Sequence, residues 1–500
     1  MTKREQVLTR TATFANLVLV AGGVVAAFVL FYFIYYYSWS GGRQFTSLAG
    51  ALFYNIVPAA GVSGFVFAFL VMQTAFKIRL AAFYLALVAS MFGAELFLKI
   101  SNIESVSANL PFWGIDGASD YKWEAVIELA QRLGIKIDTR NHSEVVADLH
   151  KRGIDAVPIV LPGTNLLINQ PDGSTKSAIN VAGSELIPVG AIANKVTVLC
   201  NESGDFVSYK SDEHGFHNPG RLWNSSHVDI AALGESFVQG YCVPSGKSFV
   251  DLIRQRYPGT LNLGMSGQSS LIKLAVINEY LLRVRPAIVL WFYCEGIDVY
   301  DLVAEAKNSL LMRYLKPTFN QRLLGRQSEI DRELIRYSTE TERRTWAPRS
   351  ISRGKRLLND SLEIIKLSEL RQKLGLVYGI TSDAAEAEVS LAKNGIYEKI
   401  LLQAKARTRS WGGKLYFVYL PSWNRYSNEG SGAVAERARV LTLVQTLGIP
   451  IIDAHPAFQA QSDPLSLFPF RRFGHYNEHG HRLVAQEVLK GISARNPNSF

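Results

Sequence analysis

Long uncharged stretches fill the first hundred residues, and short apolar runs alternating with helical stretches fill the second half of the chain. Residues 11–42, between Arg10 and Arg43, carry no charge; residues 44–76, up to Lys77, carry none either; residues 80–98 are apolar except for Glu95. Each stretch supplies the ~20 apolar residues that a helix needs to cross a bilayer. The pattern predicts a three-helix membrane anchor over residues 1–100, with spans near 14–37, 48–72 and 80–99. A signal peptide fits the first span poorly. Its apolar run is long, no small-residue cleavage site stands out, and two more spans follow. Tyr32, Tyr35, Tyr36, Tyr37 and Trp39 suit an interfacial aromatic belt. Pro58 and Gly64 are tolerable inside a membrane helix. Glu95, near a span end and four residues before Lys99, reads as an interfacial partner of that lysine.

Orientation follows from the short loops. Lys3, Arg4 and Arg10 precede the first span, and Lys77 and Arg79 separate the second from the third; Arg43 alone lies between the first and second. The positive-inside rule places the N-terminus in the cytoplasm. Three crossings then put everything after residue 100 on the extracytoplasmic side of a multi-pass inner-membrane protein, in contact with membrane lipids through its helices.

Residues 101–225 read as a membrane-proximal α/β region. Tyr121–Leu133 and Ser143–Arg152 have helical periodicity, and Ala156–Leu161 and Lys195–Leu199 read as short strands. Lys210–Pro219 is polar and turn-rich. His214 and His217 there are candidate ligands or substrate contacts, with a solvated loop the preferred reading. Residues 226–500 form the last domain. Ile230–Leu233, Thr260–Leu263, Ala287–Tyr293, Lys414–Tyr419 and Ile449–Ile452 are strand-like, and between them lie helical stretches at Phe249–Tyr257, Ser269–Val284, Glu388–Thr408 and Ala433–Leu447. Strands alternating with helices predict an α/β fold with a doubly wound parallel sheet, which binds ligands at the strands' carboxyl ends. A basic helical insertion at about 301–385 interrupts this plan, as a solvated appendage or as a lid or docking surface.

The chain carries a formal charge of +10. For an exported domain that favours anionic glycan or lipid headgroups over nucleic acid. Neither a zinc-type Cys/His spacing nor a phosphate-binding glycine loop stands out, so no metal and no cofactor are expected. Three cysteines fit an oxidising compartment. Cys200 ends a strand-like run, and Cys242 lies just beyond the turn described next. A Cys200–Cys242 disulfide is predicted, with Cys294 free at the end of a buried strand.

The chemistry gathers around Asp229–Gly240. An apolar run ends at Gly234, and Ser236 and Gly240 follow, a pattern of strand, tight turn and helix start. A serine there exposes its hydroxyl beside the free N–H groups of a helix terminus. Three further blocks fall at proposed strand ends: Asn262, Gly264 and Gly267; Glu295, Gly296, Ile297 and Asp298; and Gly474, His475, Asn477, His479 and His481. In this order they resemble the SGNH (GDSL-type) hydrolase family over roughly residues 226–300 and 412–492. The resemblance implies a serine esterase or acyltransferase on a flavodoxin-like sheet. By position, Ser236 is the nucleophile, the N–H groups of Ser236 and Gly264 line the oxyanion hole, and His475 is the base; His479 and His481 are alternatives.

Three positions depart from the family pattern. Glu235 stands where an aspartate is usual. Ile297 replaces an oxyanion-donating asparagine. Arg472 and Phe473 occupy the place of the aspartate before the histidine. Asp463 and Asp298 are the candidate acids. Lys210–Pro219 and Gly240–Val243 are also similar to segments of membrane-attached SGNH proteins associated with surface polysaccharides. That implies a carbohydrate or acyl-ester substrate and a membrane-bound acyltransferase partner. The functional classes are thus an esterase or O-acyltransferase acting on a glycan, a weakened SGNH domain serving as glycan-binding scaffold, and a lipid esterase.

Overall fold

The computed structural model describes residues 2–38, 48–101, 134, 136–225, 227–345, 364–367, 370–371, 374, 395–426, 431–471 and 474–494. The chain forms two compact units, Met1–Val106 with Ser350–Ser382, and Ser107–Arg349 with Asp383–Phe500. The expected helix Tyr121–Leu133, the start of the stretch at Glu388, most of the insertion beyond residue 345, and Arg472 and Phe473 lie outside the described residues.

The first unit contains the helices Lys3–Ser38, Leu48–Val71 and Thr74–Ser101. Leu17, Val24, Phe28, Leu70, Phe83 and Phe97 are exposed on them. Two segments among the described residues, Glu5–Tyr32 and Thr74–Leu98, are long and apolar enough to cross a membrane, not the three expected. The middle helix contributes the shorter apolar stretch Ile56–Val71. Gly22 is where the first two helices approach closely, since a Cβ there would lie 2.7 Å from Phe65 Cζ. Glu95 is buried, and its carboxylate accepts a hydrogen bond from the Leu370 N–H at 2.8 Å.

The second unit holds two sheets of consequence. Among the described residues twelve strands follow in chain order: β1 (Ala156–Pro158), β2 (Leu167–Asn169), β3 (Thr175–Ser177), β4 (Asn180–Val181), β5 (Ser184–Glu185), β6 (Val196–Cys200), β7 (Val207–Lys210), β8 (Ile230–Leu233), β9 (Thr260–Asn262), β10 (Ile288–Cys294), β11 (Lys414–Leu420) and β12 (Ile451–Asp453). The main sheet has order β12-β11-β10-β8-β9, and all its pairings are parallel. Numbered by sequence alone this is the 2-1-3-4-5 order of flavodoxin-like sheets, whose switch point lies between the first and third strands. Those strands are β8 and β10, so the turns after them meet where a ligand binds.

Strand β10 reads Ile-Val-Leu-Trp-Phe-Tyr-Cys and is buried throughout, as a parallel strand covered on both faces must be. Alternation divides its side chains between two cores. Val289, Trp291 and Tyr293 join Ala231, Leu233 and Phe417 on one face, and Leu290, Phe292 and Cys294 join Ile230, Ala232 and Val418 on the other. The described part of the insertion covers the first face. Leu302, Leu311, Tyr314, Leu323, Ile330 and Leu334 are fully buried there, and buried Glu279 anchors it by accepting from Tyr314 Oη (2.6 Å) and the Leu323 N–H (2.8 Å). This segment is therefore a layer of the fold rather than a solvated appendage. Its apolar positions are sparse, but they fall on one side.

A smaller sheet, β1-β6-β7, stands beside the main one, with β1 and β6 parallel and β6 and β7 antiparallel. The helix His142–Lys151 packs against it, started by a capping box between Asn141 and Glu144. Its register shifts between Val198 and Cys200. The bulge and the loop that follows carry the chain out of the sheet just where Glu202 lies.

Candidate active site

The nucleophile turn is set by close packing. A Cβ on Gly234 would lie 2.2 Å from Val238 Cγ2, so only glycine lets the chain fold back from β8 into the helix Ser236–Gln239. That helix has four residues and ends at Gly240 in the left-handed region. So short a helix has little macrodipole. Stabilisation of negative charge here falls to individual N–H groups.

Ser236 Oγ lies 2.8 Å from His475 Nε2. His475 Nδ1 lies 2.8 and 3.0 Å from the two carboxylate oxygens of Glu202. A carboxylate only accepts, so the imidazole proton sits on Nδ1, and Nε2 accepts from the serine hydroxyl. All three residues are recessed, at 3% exposure for Ser236 and 4% for each of the others. His475 enters from the loop before the helix Glu478–Ser493, whose N-cap is Asn477. Phe237 and Tyr241 pack against its ring, with centroids 5.0 and 4.5 Å away.

The acid beside His475 is therefore Glu202, which the sequence reading did not single out. Asp463 pairs with Arg471 instead. Asp298 is fully buried beneath the site, paired with Lys273 and accepting from the Cys294 N–H at 2.6 Å. Asp463 misses because it is part of an exposed turn, and Asp298 because its carboxylate points back along β10.

The Gly264 N–H donates to Asn262 Oδ1 at 3.0 Å, a partner within its own loop. Its glycine is required by packing, since a Cβ would lie 2.4 Å from Val238 Cβ. The same loop runs along the nucleophile turn, with Met265 N–H on Gly234 O and Ser266 N–H on Gln239 Oε1. Among the described residues, the N–H groups of Ser236 and Gly267 form no hydrogen bond. Ile297 packs its side chain into the second core and offers no donor.

Among the described residues no hydrogen bond joins His479 or His481 to Ser236. His481 is fully buried and accepts from the Phe249 N–H; burial, helped by neighbouring His475, holds its pKa down at about 3. His479 is exposed and borders a cavity of about 370 Å³ with Gln461, Ser466 and Arg482, away from Ser236. The loop Lys210–Pro219 is not solvated. Asp212 is buried and accepts from the N–H groups of His214 and Phe216, from Asn218 Nδ2 and from Trp223 Nε1. His217 stacks on Tyr209 and bonds Gln239 O at 2.9 Å, while His214 packs against Trp223 and Tyr280. Burial lowers the pKa of both histidines.

The predicted disulfide is present: Cys200 and Cys242 are bonded with Cα atoms 5.3 Å apart, and Cys294 is a buried free thiol. Among the described residues no cluster of His, Cys, Asp and Glu could hold a metal ion.

No family model and no curated protein matches the chain. Among solved structures it is similar to a two-domain esterase (CEX) active on acetylated mannans, co-crystallised with mannopentaose. The identity is 13% over 56% of this chain and 52% of that one, with a TM-score of 0.28. It is similar to an acetyl xylan esterase, AlAXEase, at 11% identity over 53% of this chain and 100% of that one, with a TM-score of 0.28. A member of the lipolytic protein G-D-S-L family from Veillonella parvula DSM 2008 is similar at 16% identity, over 53% of this chain and 97% of that one, with a TM-score of 0.26. The chain thus spans 52% of the length of the mannan esterase. Likenesses at these values add nothing to what the geometry says.

Proposed function

We propose that this chain is a membrane-anchored, extracytoplasmic serine esterase or O-acyltransferase of the SGNH type, acting on acyl, chiefly acetyl, esters of an exported carbohydrate. One observation carries the reading: a serine hydroxyl at the switch point of a flavodoxin-like sheet, 2.8 Å from an imidazole whose other nitrogen is held by a buried carboxylate. A serine hydroxyl is a weak nucleophile until an adjacent base can take its proton. In the proposed route Ser236 Oγ attacks the acyl carbonyl as its proton passes to His475 Nε2. The oxyanion is received by the Ser236 N–H at the start of its helix. The tetrahedral intermediate collapses, the leaving alcohol takes the proton from His475, and acyl-Ser236 remains. Water or a sugar hydroxyl then repeats the sequence from the other side. Glu202 holds the imidazole in this orientation and steadies the imidazolium.

A fluorophosphonate probe should modify Ser236 in the detergent-solubilised full chain, read as a mass shift on its peptide. Absence of labelling while the fold is intact would remove the covalent route. The scaffold reading would then take its place, favoured by Ile297 and by the engaged Gly264 N–H.

The anchor orientation is tested separately. A periplasm-dependent phosphatase fused after residue 110 should be active, and one fused near Lys77 inactive, because the Lys/Arg-rich loops stay inside. The reverse pattern would put the serine in the cytoplasm and overturn the exported-substrate assignment.

A further inference from the structure

The acid and the nucleophile arrive on different sheets, and one covalent link joins them. Cys200 ends β6 two residues before Glu202, and Cys242 lies six residues after Ser236. On one side of the bond, Glu202 holds His475 Nδ1. On the other, Tyr241, next to Cys242, covers the face of the same imidazole. Cys200, Cys242, Tyr241, Leu199 and Val207 form one small buried cluster.

We propose that the Cys200–Cys242 disulfide is a positioning element for the base, so that the site is competent only when this bond is formed. The inference rests on the serine-esterase reading above. Cys200 and Glu202 tie this end of β6 and its loop to the nucleophile turn and its base. Asn201 directs its hydrogen bonds away from it, to Asp138 O and the Gly204 N–H. Cys242 itself has a left-handed backbone, φ 57°, a conformation that a non-glycine residue keeps only when its surroundings hold it. Opening the bond lets both segments relax. Glu202 then withdraws from Nδ1 and Tyr241 from the ring face, while substrate contacts are untouched. Chemically, an added dithiol supplies two electrons and two protons. The S–S bond breaks, Cys200 and Cys242 become thiols, and the reagent closes to its own disulfide.

The experiment compares the oxidised and dithiol-reduced full-length protein in detergent, each as wild type and as Glu202→Gln, with a small acetyl ester as substrate. Reduction of the wild type should lower kcat by about 10²–10⁴-fold with KM changed by no more than about twofold, because what is lost acts in the transition state. Reduction of Glu202→Gln should change little further, since both changes remove the same contact. A Cys200→Ser/Cys242→Ser variant should match the reduced wild type. Near-UV circular dichroism should stay native on reduction. A low-field proton resonance from the His475 Nδ1–H should be present when oxidised and lost when reduced. That signal needs no turnover. If it depends on the disulfide while no Ser236-dependent activity exists, the functional reading fails and the positioning role stands. If Ser236-dependent activity survives reduction unchanged, if reduction unfolds the domain, or if its effect multiplies with that of Glu202→Gln, the positioning role is overturned.

Discussion

Ser236→Ala and His475→Ala should each lower turnover of a small acetyl ester by about 10⁴-fold or more, and the double variant should be hardly slower than either. The base exists only to take the proton of this serine, so removing the second member of the pair removes nothing that is still working. Glu202→Gln should cost less, about 10²–10⁴-fold in kcat, because an amide keeps the shape but cannot hold the imidazole in the required tautomer or steady its positive charge. Asp463→Asn should leave turnover unchanged, since Asp463 pairs with Arg471 and not with His475. Steady-state kinetics on the four single variants and the Ser236/His475 double variant decide the matter. Independent, multiplying losses for Ser236 and His475 would mean that the 2.8 Å contact is not the catalytic one. A large loss for Asp463→Asn would return the acid role to that residue.

Much of this arrangement is legible in the amino-acid order, and what is hidden has a physical reason. The five strands of the main sheet are continuous apolar runs bounded by turn residues, and local composition suffices to find them. Ser236 and His475 are each marked by neighbouring glycines or by an N-cap. Glu202 carries no such mark. It lies 273 residues from its histidine, on a loop of another sheet, and its role depends on tertiary contact alone. One signal does point to it. Once Cys200 and Cys242 are paired across the serine turn, the loop that carries Glu202, two residues beyond Cys200, is tied to that turn.

The polar letters of Lys210–Pro219 mislead for a related reason. Asp212 turns a run that looks solvated into a buried, hydrogen-bonded loop. Likewise sequence shows a glycine at Gly264 but not that Asn262 accepts from its N–H.

Lys273→Met should lower stability by about 3–5 kcal/mol, because it strands a buried carboxylate. Lys273 is fully buried, with Nζ bonded to Asp298 and to Phe292 O and placed over the Trp291 ring. It is surrounded by acids. Burial pushes the Asp298 carboxyl up, with Lys273 opposing, and pushes Asp301 up to about 7, with Asp298 adding to the rise. Burial raises Glu235 well above the carboxylate range, again with Asp298 adding. The group lies directly under the catalytic turns: Asp298 receives the Cys294 N–H, and Glu305 receives those of Ser269 and Leu271.

The sign with pH follows from Asp298. Its folded pKa is raised above the unfolded value, so the folded state binds the proton more tightly, and this term favours folding more as pH falls. Without Lys273 the rise is larger. The deficit of Lys273→Met relative to wild type should therefore be greatest at neutral pH and shrink toward pH 5. Lys273→Met/Asp298→Asn should recover most of the loss, because an amide can still accept from Cys294 N–H and leaves no charge behind. Urea midpoints of the three proteins at both pH values, in the same detergent, measure this. A loss below about 1 kcal/mol, or one equal at the two pH values, would mean that Asp298 is uncharged in the native protein and that Lys273 serves packing alone.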